Sequence, residues 1–334
     1  MRANGRPPSM ADVAAAAGVS HQTVSRVLNG SPLVKEHTRD KVLSAIAALG
    51  YRRNAAARML ATNRSGRIGM ISAHLAFYGP IRIAVAVQDA GHAAGYEVAL
   101  VGVDDFAADS LRGAVDRLLD QAVEALVVAV AHRSSLERAL SLDIPVPLVF
   151  AQGVTRGQPM AAGVDQVAGG GLATEHLLEL GHSRVAHVTG PLDWVEAGQR
   201  RSGWQLAHER ARLLPGPELA GDWTARSGYE AGLRLAADSS VSAVFAANDA
   251  MALGVLKALH EHGRGTTDVS VVGFDNTPDA AYFWPALTTV TQDFDALGRC
   301  AVDLTLRALA GDASASADLI APTLVVRDST RPPV

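Results

Sequence analysis

The sequence predicts an all-α helix-turn-helix headpiece joined to a two-lobed α/β body built on two doubly wound parallel sheets. Three observations carry this. Residues 10–29, MADVAAAAGVSHQTVSRVLN, show two short helical periods separated by a glycine turn. From Arg67 onward, apolar runs alternate with helical segments, the pattern of parallel strands covered on both faces. That alternation occurs twice in a chain of 334 residues, which is too long for one ordinary domain.

In the headpiece, Ser9 is placed to cap a first helix whose apolar stripe is Ala11, Val13, Ala14 and Ala17. Gly18 supplies the sharp turn and Val19 the apolar plug beneath it. Ser20 caps a second helix that turns Val24, Val27 and Leu28 inward. His21, Gln22, Thr23, Ser25 and Arg26 are left on its outer side, where they suit phosphates and base edges better than a protein core. Asn29-Gly30-Ser31-Pro32 breaks the pattern. A third helix is expected over Thr38–Leu49, ended by Gly50, with Tyr51 adding core. Asn54–Leu60 is short and helix-prone, marginal in isolation, and reads from composition as a connector.

Charge divides the same way. Residues 1–64 carry ten Lys/Arg against three Asp/Glu, a balance of +7, and the remainder carries −11. A basic head on an acidic body points to polyanion binding confined to the head. One cysteine, Cys300, excludes an intramolecular disulfide and a Cys-rich metal site, and its neighbours read it as an ordinary buried thiol. The N-terminus has no apolar signal core and no run of 18 apolar residues occurs, so a soluble cytoplasmic protein with no membrane partner is expected.

Strands are expected at 67–72, 97–103, 124–130 and 146–151, with helices around 81–94, 110–121 and 134–142 between them. The pattern returns with strands at 184–190, 243–249, 269–275 and 287–293. Ligands of open parallel sheets sit beyond the carboxyl ends of the strands, which singles out Ser72, Asn248, Asp249, Asp275 and Asp293.

Little else suggests chemistry. Gly169-Gly170-Gly171 lacks the Walker lysine and the dinucleotide spacing, so close backbone packing is the better account. The histidines at 176, 182, 187, 260 and 262 have no partners at metal-ligand spacing, and no nucleophile elbow or acid–base pair stands out. Neither an enzyme, a metal nor a cofactor is expected. Asn248-Asp249 and Phe274-Asp275 place bidentate polar groups directly after buried strands. Sugar hydroxyls need such groups, with aromatic faces, Trp223 and Phe294 being candidates, over the apolar ring surface and Arg200 as a donor. Spacing alone leaves helix capping by Asn-Asp equally open.

ADVAAAAGVSHQTVSRVLNG, the helix-prone AARMLA, ANDAMALGVLKAL and DVSVVGFDNTPDAAYFWPALTTV together resemble the LacI/GalR family of transcriptional regulators, in that family's order and spacing. The resemblance implies a headpiece over 1–53, a hinge helix and linker over 54–65, and a periplasmic-binding-protein-like body. Its N-terminal lobe would be 66–163 with 294–320, and its C-terminal lobe 164–293 with 321–334. It implies that His21, Gln22 and Arg26 read bases, and that Thr23, Ser25, Asn29 and Thr38 contact or support phosphates. Ser9 and Ser20 belong to the same DNA-facing set. Leu60 would wedge into the minor groove, flanked by Asn54 and Ala57. In the body, Arg200, Trp223, Asn248, Asp275 and Phe294 match positions that hold a sugar.

Departures accompany the match. His21 replaces a tyrosine of the family's lactose reader, Gln152 an aspartate and Ala73 a serine. The resemblance therefore implies a homodimeric repressor on double-stranded operator DNA, nucleoid-associated when bound and released by a sugar inducer, galactoside-like being favoured. A corepressor-responsive regulator of the same architecture is the alternative. A sugar-transport protein would have no headpiece, and a sugar enzyme would need a catalytic pair.

Overall fold

The computed structural model describes residues 8–28, 30–51, 64–104, 107–129, 132–154, 157–265, 267–316 and 318–333. They form two compact units, Met1–Ser65 and Gly66–Val334.

Among the described residues the first unit holds three helices, α1 (Met10–Ala17), α2 (His21–Leu28) and α3 (Glu36–Leu49). Ser9 and Asp12 form a reciprocal capping box: the Ser9 side chain accepts from Asp12 N, and Ser9 N donates to the Asp12 carboxylate at 2.7 Å. Gly18 ends α1 at φ 63°, a conformation that costs glycine nothing, and Val19 N then bonds back to the Ala14 carbonyl at 3.0 Å. Ser20 Oγ accepts from Thr23 N at 3.1 Å and starts α2. Val13, Val24 and Val42 are wholly buried and bring the three helices together, with Tyr51 closing the core. The third helix begins two residues before the expected Thr38.

The second unit contains two sheets. The first has β1 (Arg67–Ala73), β2 (Glu97–Val103), β3 (Ala125–Ala129), β4 (Leu148–Ala151) and β5 (Ala161–Ala162), all parallel, in the order β2-β1-β3-β4-β5. The second has β6 (Val185–Thr189), β7 (Glu218–Ala220), β8 (Ala243–Ala246), β9 (Ser270–Asp275), β10 (Thr288–Thr291) and β11 (Thr323–Val325), in the order β11-β10-β9-β8-β6-β7. Helices α4 (Tyr78–Ala93), α5 (Ala108–Leu119) and α6 (Arg133–Ser141) join strands of the first sheet. Helices α7 (Gln166–Glu179), α8 (Val195–Ala211), α9 (Ala225–Ala236) and α10 (Asp249–Glu261) serve the second. Separate apolar clusters fill both faces of each sheet, which is why the inner strands are continuous in apolar character.

After β10 the chain returns to the first lobe as α11 (Phe294–Leu309), which packs on α4 and on the ends of β3–β5. It then crosses back to supply β11. The chain thus passes between the lobes three times, near residues 163–165, 292–293 and 320–322. Two of these strands of chain are tied by a bridge between Val164 and Ile320.

Five details depart from the sequence expectation. Strand β2 lies at a sheet edge and alternates in exposure, Leu100 reaching 42%. Strand β11 runs antiparallel to β10, and β5 and β7 are too short to show a periodicity. The glycines 169–171, which a phosphate cradle would need in the loop before a helix, lie inside α7. A Cβ on Gly170 would come within 2.2 Å of the Arg200 carbonyl oxygen, and one on Gly169 within 2.6 Å of the Phe274 ring. Close packing of α7 on α8 and β9 is what these glycines allow. Cys300 is half-buried against the first-lobe core rather than fully enclosed.

Candidate functional site

On the headpiece, His21, Gln22 and Arg26 are exposed and Thr23 and Ser25 half-buried. Positions 21, 22, 25 and 26 share one helical face, opposite Val24 and Val27. The N-terminal end of α2, the positive end of its dipole, lies beside these donors and acceptors. Ser20 is exposed beside them, and Ser9 is half-buried at the start of α1. Thr38 lies half-buried in the first turn of α3, its N–H bonded to the Lys35 carbonyl at 2.9 Å. Asn29, Asn54, Ala57 and Leu60 lie outside the described residues.

In the second unit a cleft between the lobes collects residues from the carboxyl ends of the strands. Gln152 follows β4, Trp223 follows β7, Asn248 follows β8 and Asp275 ends β9. Glu196 and Arg200, one turn apart on α8, share it with Phe77 and Tyr78 from the first lobe. Several of these residues hold unusual backbone: Gln152 at φ 86°, Trp223 at 72° and Asp275 at 105°, with His74 at 54° close by. Left-handed conformations cost a non-glycine residue of order 1–3 kcal/mol and persist only where surrounding structure enforces them. Their gathering here marks a constructed site.

Its floor is a ring of three hydrogen bonds closed by an ion pair. Arg200 Nε donates to Gln166 Oε1 at 2.8 Å, and Gln166 Nε2 to Gln292 Oε1 at 2.7 Å. Gln292 Nε2 donates to Asp275 Oδ1 at 2.7 Å, and that oxygen lies 3.7 Å from Arg200 Nη2. Arg200 also donates through Nη1 to the Ala247 carbonyl, and its guanidinium stacks 3.8 Å from the centre of the Phe274 ring and 5.4 Å from that of Trp223. Burial of charge is tolerable here because every member is paired.

The acids feel this burial. Desolvation pushes the Asp275 carboxyl up to about 6, against the pull of Arg200 and the Gln292 hydrogen bond. Burial raises Glu196 to about 7, opposed by the Gly153 amide, Arg200 and Gln152. Asp249 is raised to about 7 by burial and by Asp275, although Thr289 Oγ1 and Thr277 N donate to it at 2.6 and 2.7 Å. Burial lowers Arg200, and Asp275, Glu196 and Asp249 hold it up.

At the rim, rings from both lobes meet. Trp194 lies with ring centres 5.2 Å from His74, 5.3 Å from His132, 5.9 Å from Phe77 and 5.5 Å from Trp223. His132 and Trp194 pair as an antiparallel bridge.

The expected residues thus separate. Arg200, Trp223, Asn248, Asp275 and Gln152 come together. Phe294 is 5% exposed, set edge-on against Tyr78 at 6.0 Å, and lines the adjoining hollow rather than covering the cleft beside Trp223. Ala73 is buried in the first-lobe core and is absent from the cleft lining. Asp249 is used internally. Asp293 caps α11 through Ala296 N at 2.7 Å, and Gln292 takes the inward place at that strand end. Sequence reasoning missed Glu196, Gln166, Gln292 and the rim histidines. The spacing of Glu196 four residues before Arg200, on one helical face, was the available signal.

Among the described residues no group of His, Cys, Asp and Glu is arranged to hold a metal ion, and no helix is long and apolar enough to cross a membrane. His187, buried and stacked on Phe245 at 4.5 Å, is a packing residue whose pKa desolvation lowers to about 3.

A helix-turn-helix unit together with a two-lobed cleft lined for a polar ligand defines a ligand-responsive, DNA-binding regulator. Residues 9–54 match the model of bacterial regulatory proteins of the lacI family, and residues 174–330 match the periplasmic binding protein-like domain. The lactose operon repressor of Escherichia coli K12 is 36% identical over 98% of this chain and 92% of its own length. A lac repressor dimer bound to operator and the anti-inducer ONPF superposes with a TM-score of 0.86 at 35% identity, covering 98% of this chain and all of that one. The complex of the transcriptional regulator CelR with cellobiose gives 0.69 at 30% identity, covering 96% and 99%. The chain belongs to the LacI family of transcriptional regulators, which are not enzymes.

Proposed function

We propose that this protein is a homodimeric repressor of carbohydrate-utilisation genes, released from its operator when a sugar, galactoside-like by preference, binds between the lobes. The observation that carries this reading is the buried ring of Arg200, Gln166, Gln292 and Asp275 beneath aromatic walls. Fixed amide, carboxylate and guanidinium groups can meet vicinal hydroxyls, while Trp223 covers an apolar sugar face.

In this reading residues 1–53 dock, 54–65 form the hinge, and the two lobes, 66–163 with 294–320 and 164–293 with 321–334, close on the ligand. Two headpieces related by a two-fold axis place α2 in successive major grooves of a pseudo-palindrome. Gln22 pairs with adenine and Arg26 with guanine, His21 shifts the preferred operator, and Thr23, Ser25, Asn29 and Thr38 meet phosphates. Hinge segments flanked by Asn54 and Ala57 fold against each other on DNA, Leu60 opening the central step at a cost of a few kcal/mol. A short helix is marginal alone, so a small ligand-driven change in the lobes suffices to release it.

The test is operator retention by the purified full-length protein on its selected palindromic site, with lactose, galactose or cellobiose added. At least one should weaken binding by about tenfold, within the usual range of coupling. A sugar that strengthens binding identifies a corepressor instead, and indifference to every sugar removes the reading.

A further inference from the structure

Glu196 is a buried carboxylate whose two oxygens are unequally engaged. It is 4% exposed, and its Oε1 accepts from Gly153 N at 2.7 Å. Its Oε2 makes no hydrogen bond of ordinary geometry among the described residues, and the Gln152 side chain is the neighbour that helps to hold the carboxyl down. In the same lining, Trp223 Nε1–H is likewise buried and has no hydrogen-bond partner among the described residues. An unmet acceptor and an unmet donor therefore line one cleft. Leaving such groups unbonded is costly, so a site with both is shaped for a ligand that supplies their counterparts.

The charges select further. Arg200 on its own helix and Gln152 after β4 act on Glu196 directly, and Tyr78 and Asp275 complete the polar lining of the same cleft. Arg200 is the one cation in that lining among the described residues, and its charge is already engaged by Asp275, Gln166 and the Ala247 carbonyl. A ligand thus meets one committed cation and two carboxyl groups.

We infer that Glu196 is a specificity-determining residue whose free Oε2 accepts a ligand hydroxyl, and that it restricts the cleft to uncharged, hydroxyl-bearing molecules, excluding phosphorylated and carboxylated ones. This rests on the cleft being the effector site and deepens the sugar reading. The ionised carboxylate forms the stronger, charge-assisted bond to an O–H. With the free group titrating at about 7, ligand binding expels the remaining proton to solvent as the Oε2···H–O bond forms. Affinity then weakens as pH falls below 7, approaching about tenfold per pH unit.

Calorimetry on the full-length protein with paired probes tests this: galactose with galactose 6-phosphate, cellobiose with cellobionate, ribose with ribose 5-phosphate, and inosine with inosine monophosphate. The neutral member of the binding pair should win by at least about tenfold, and Glu196→Gln should remove most of that preference. In buffers of differing ionisation enthalpy, wild type should release protons on binding near pH 7, and Glu196→Gln should lose that release at pH 7, where Asp275, raised only to about 6, is already mostly ionised. Preference for an anionic member, proton uptake, or an unchanged Glu196→Gln profile overturns the inference. Binding of only the purine pair, with neutral preference and proton release intact, defeats the sugar reading and leaves Glu196 in place. Silence of every pair removes both.

Discussion

Asn248 holds Trp223 by its backbone: the Asn248 side-chain Nδ2 donates to the Trp223 carbonyl at 3.0 Å, while its Oδ1 caps α10 through Met251 N at 2.8 Å. One amide thereby fixes a helix start and restrains a tryptophan in left-handed backbone. The choice between helix cap and site residue, open from spacing, resolves into one side chain that caps the helix and lines the cleft.

Replacing that residue separates the two tasks. Asn248→Asp keeps a cap acceptor but turns a donor into an anion facing the Trp223 carbonyl. Asn248→Ala loses both contacts. Chemical denaturation of Asn248→Ala should show a loss of about 0.5–2 kcal/mol, the usual worth of a cap. Asn248→Asp should stay closer to wild type in stability yet lose ligand affinity. Equal affinities for Asn248→Asp and wild type would mean that the amide does not position Trp223.

Two glycines on neighbouring helices predict opposite outcomes. A Cβ at Gly170 would collide with the Arg200 backbone, whereas one at Gly198 on α8 would meet nothing within 4 Å. Gly170→Ala should destabilise by about 1–3 kcal/mol and disturb the Arg200 ring. Gly198→Ala should stabilise by about 0.5–1 kcal/mol through helix propensity alone. Urea midpoints for the two variants provide the comparison.

The buried acids make stability pH-dependent. Asp249 rises from an ordinary 3.8 to about 7 in the folded state, so the folded form holds that proton more tightly than the unfolded chain does. The sign follows: its contribution is fully present below about pH 4 and is lost as pH rises through 7. Stability of the ligand-free protein should fall between pH 5.5 and 8, the Asp249 share being on the order of 1–4 kcal/mol. Asp249→Asn mimics the protonated acid and should flatten that dependence. A variant with the wild-type slope would clear Asp249 of responsibility.

DNA reading and ligand binding should be separable by mutation. Gln22→Ala and Arg26→Ala should each relax base preference at one position per half-site, by about 1–3 kcal/mol. Leu60→Ala should weaken operator binding across sequences. All three should retain wild-type sugar affinity. Binding to randomised operators, paired with calorimetry, measures both quantities, and parallel losses would place these residues in folding rather than recognition.

Legibility from sequence tracked how local the determining physics is. The headpiece could be read because Ser9, Gly18, Ser20 and Gly50 act through their own turns. Asn248 and Asp275 were visible because polar residues at the ends of apolar strands have few other reasons to be there. Glu196 was not, since a helical glutamate before an arginine looks like a surface pair until tertiary packing buries it. Gln292 was missed by one position: β10 stops at Thr291, and the inward direction falls to Gln292 while Asp293 turns to cap α11. Phe294 shows that one aromatic can do two things at once, packing on the first-lobe core while lining the hollow that adjoins Arg200 and Gln152.

The bond between Gln166 and Gln292 joins one chain segment just after its first passage between the lobes to another at its second. That pair stands at the axle of any rotation of one lobe against the other. Near an axle a turn displaces atoms little, so the floor can grip a ligand without being pulled apart. The rim, where Trp194 meets His74 and His132, joins the lobes through ring contacts and not through hydrogen bonds of the chain crossings. In the proposed repressor a ligand that touches both floor and rim would bridge the fixed and the looser seams between the lobes.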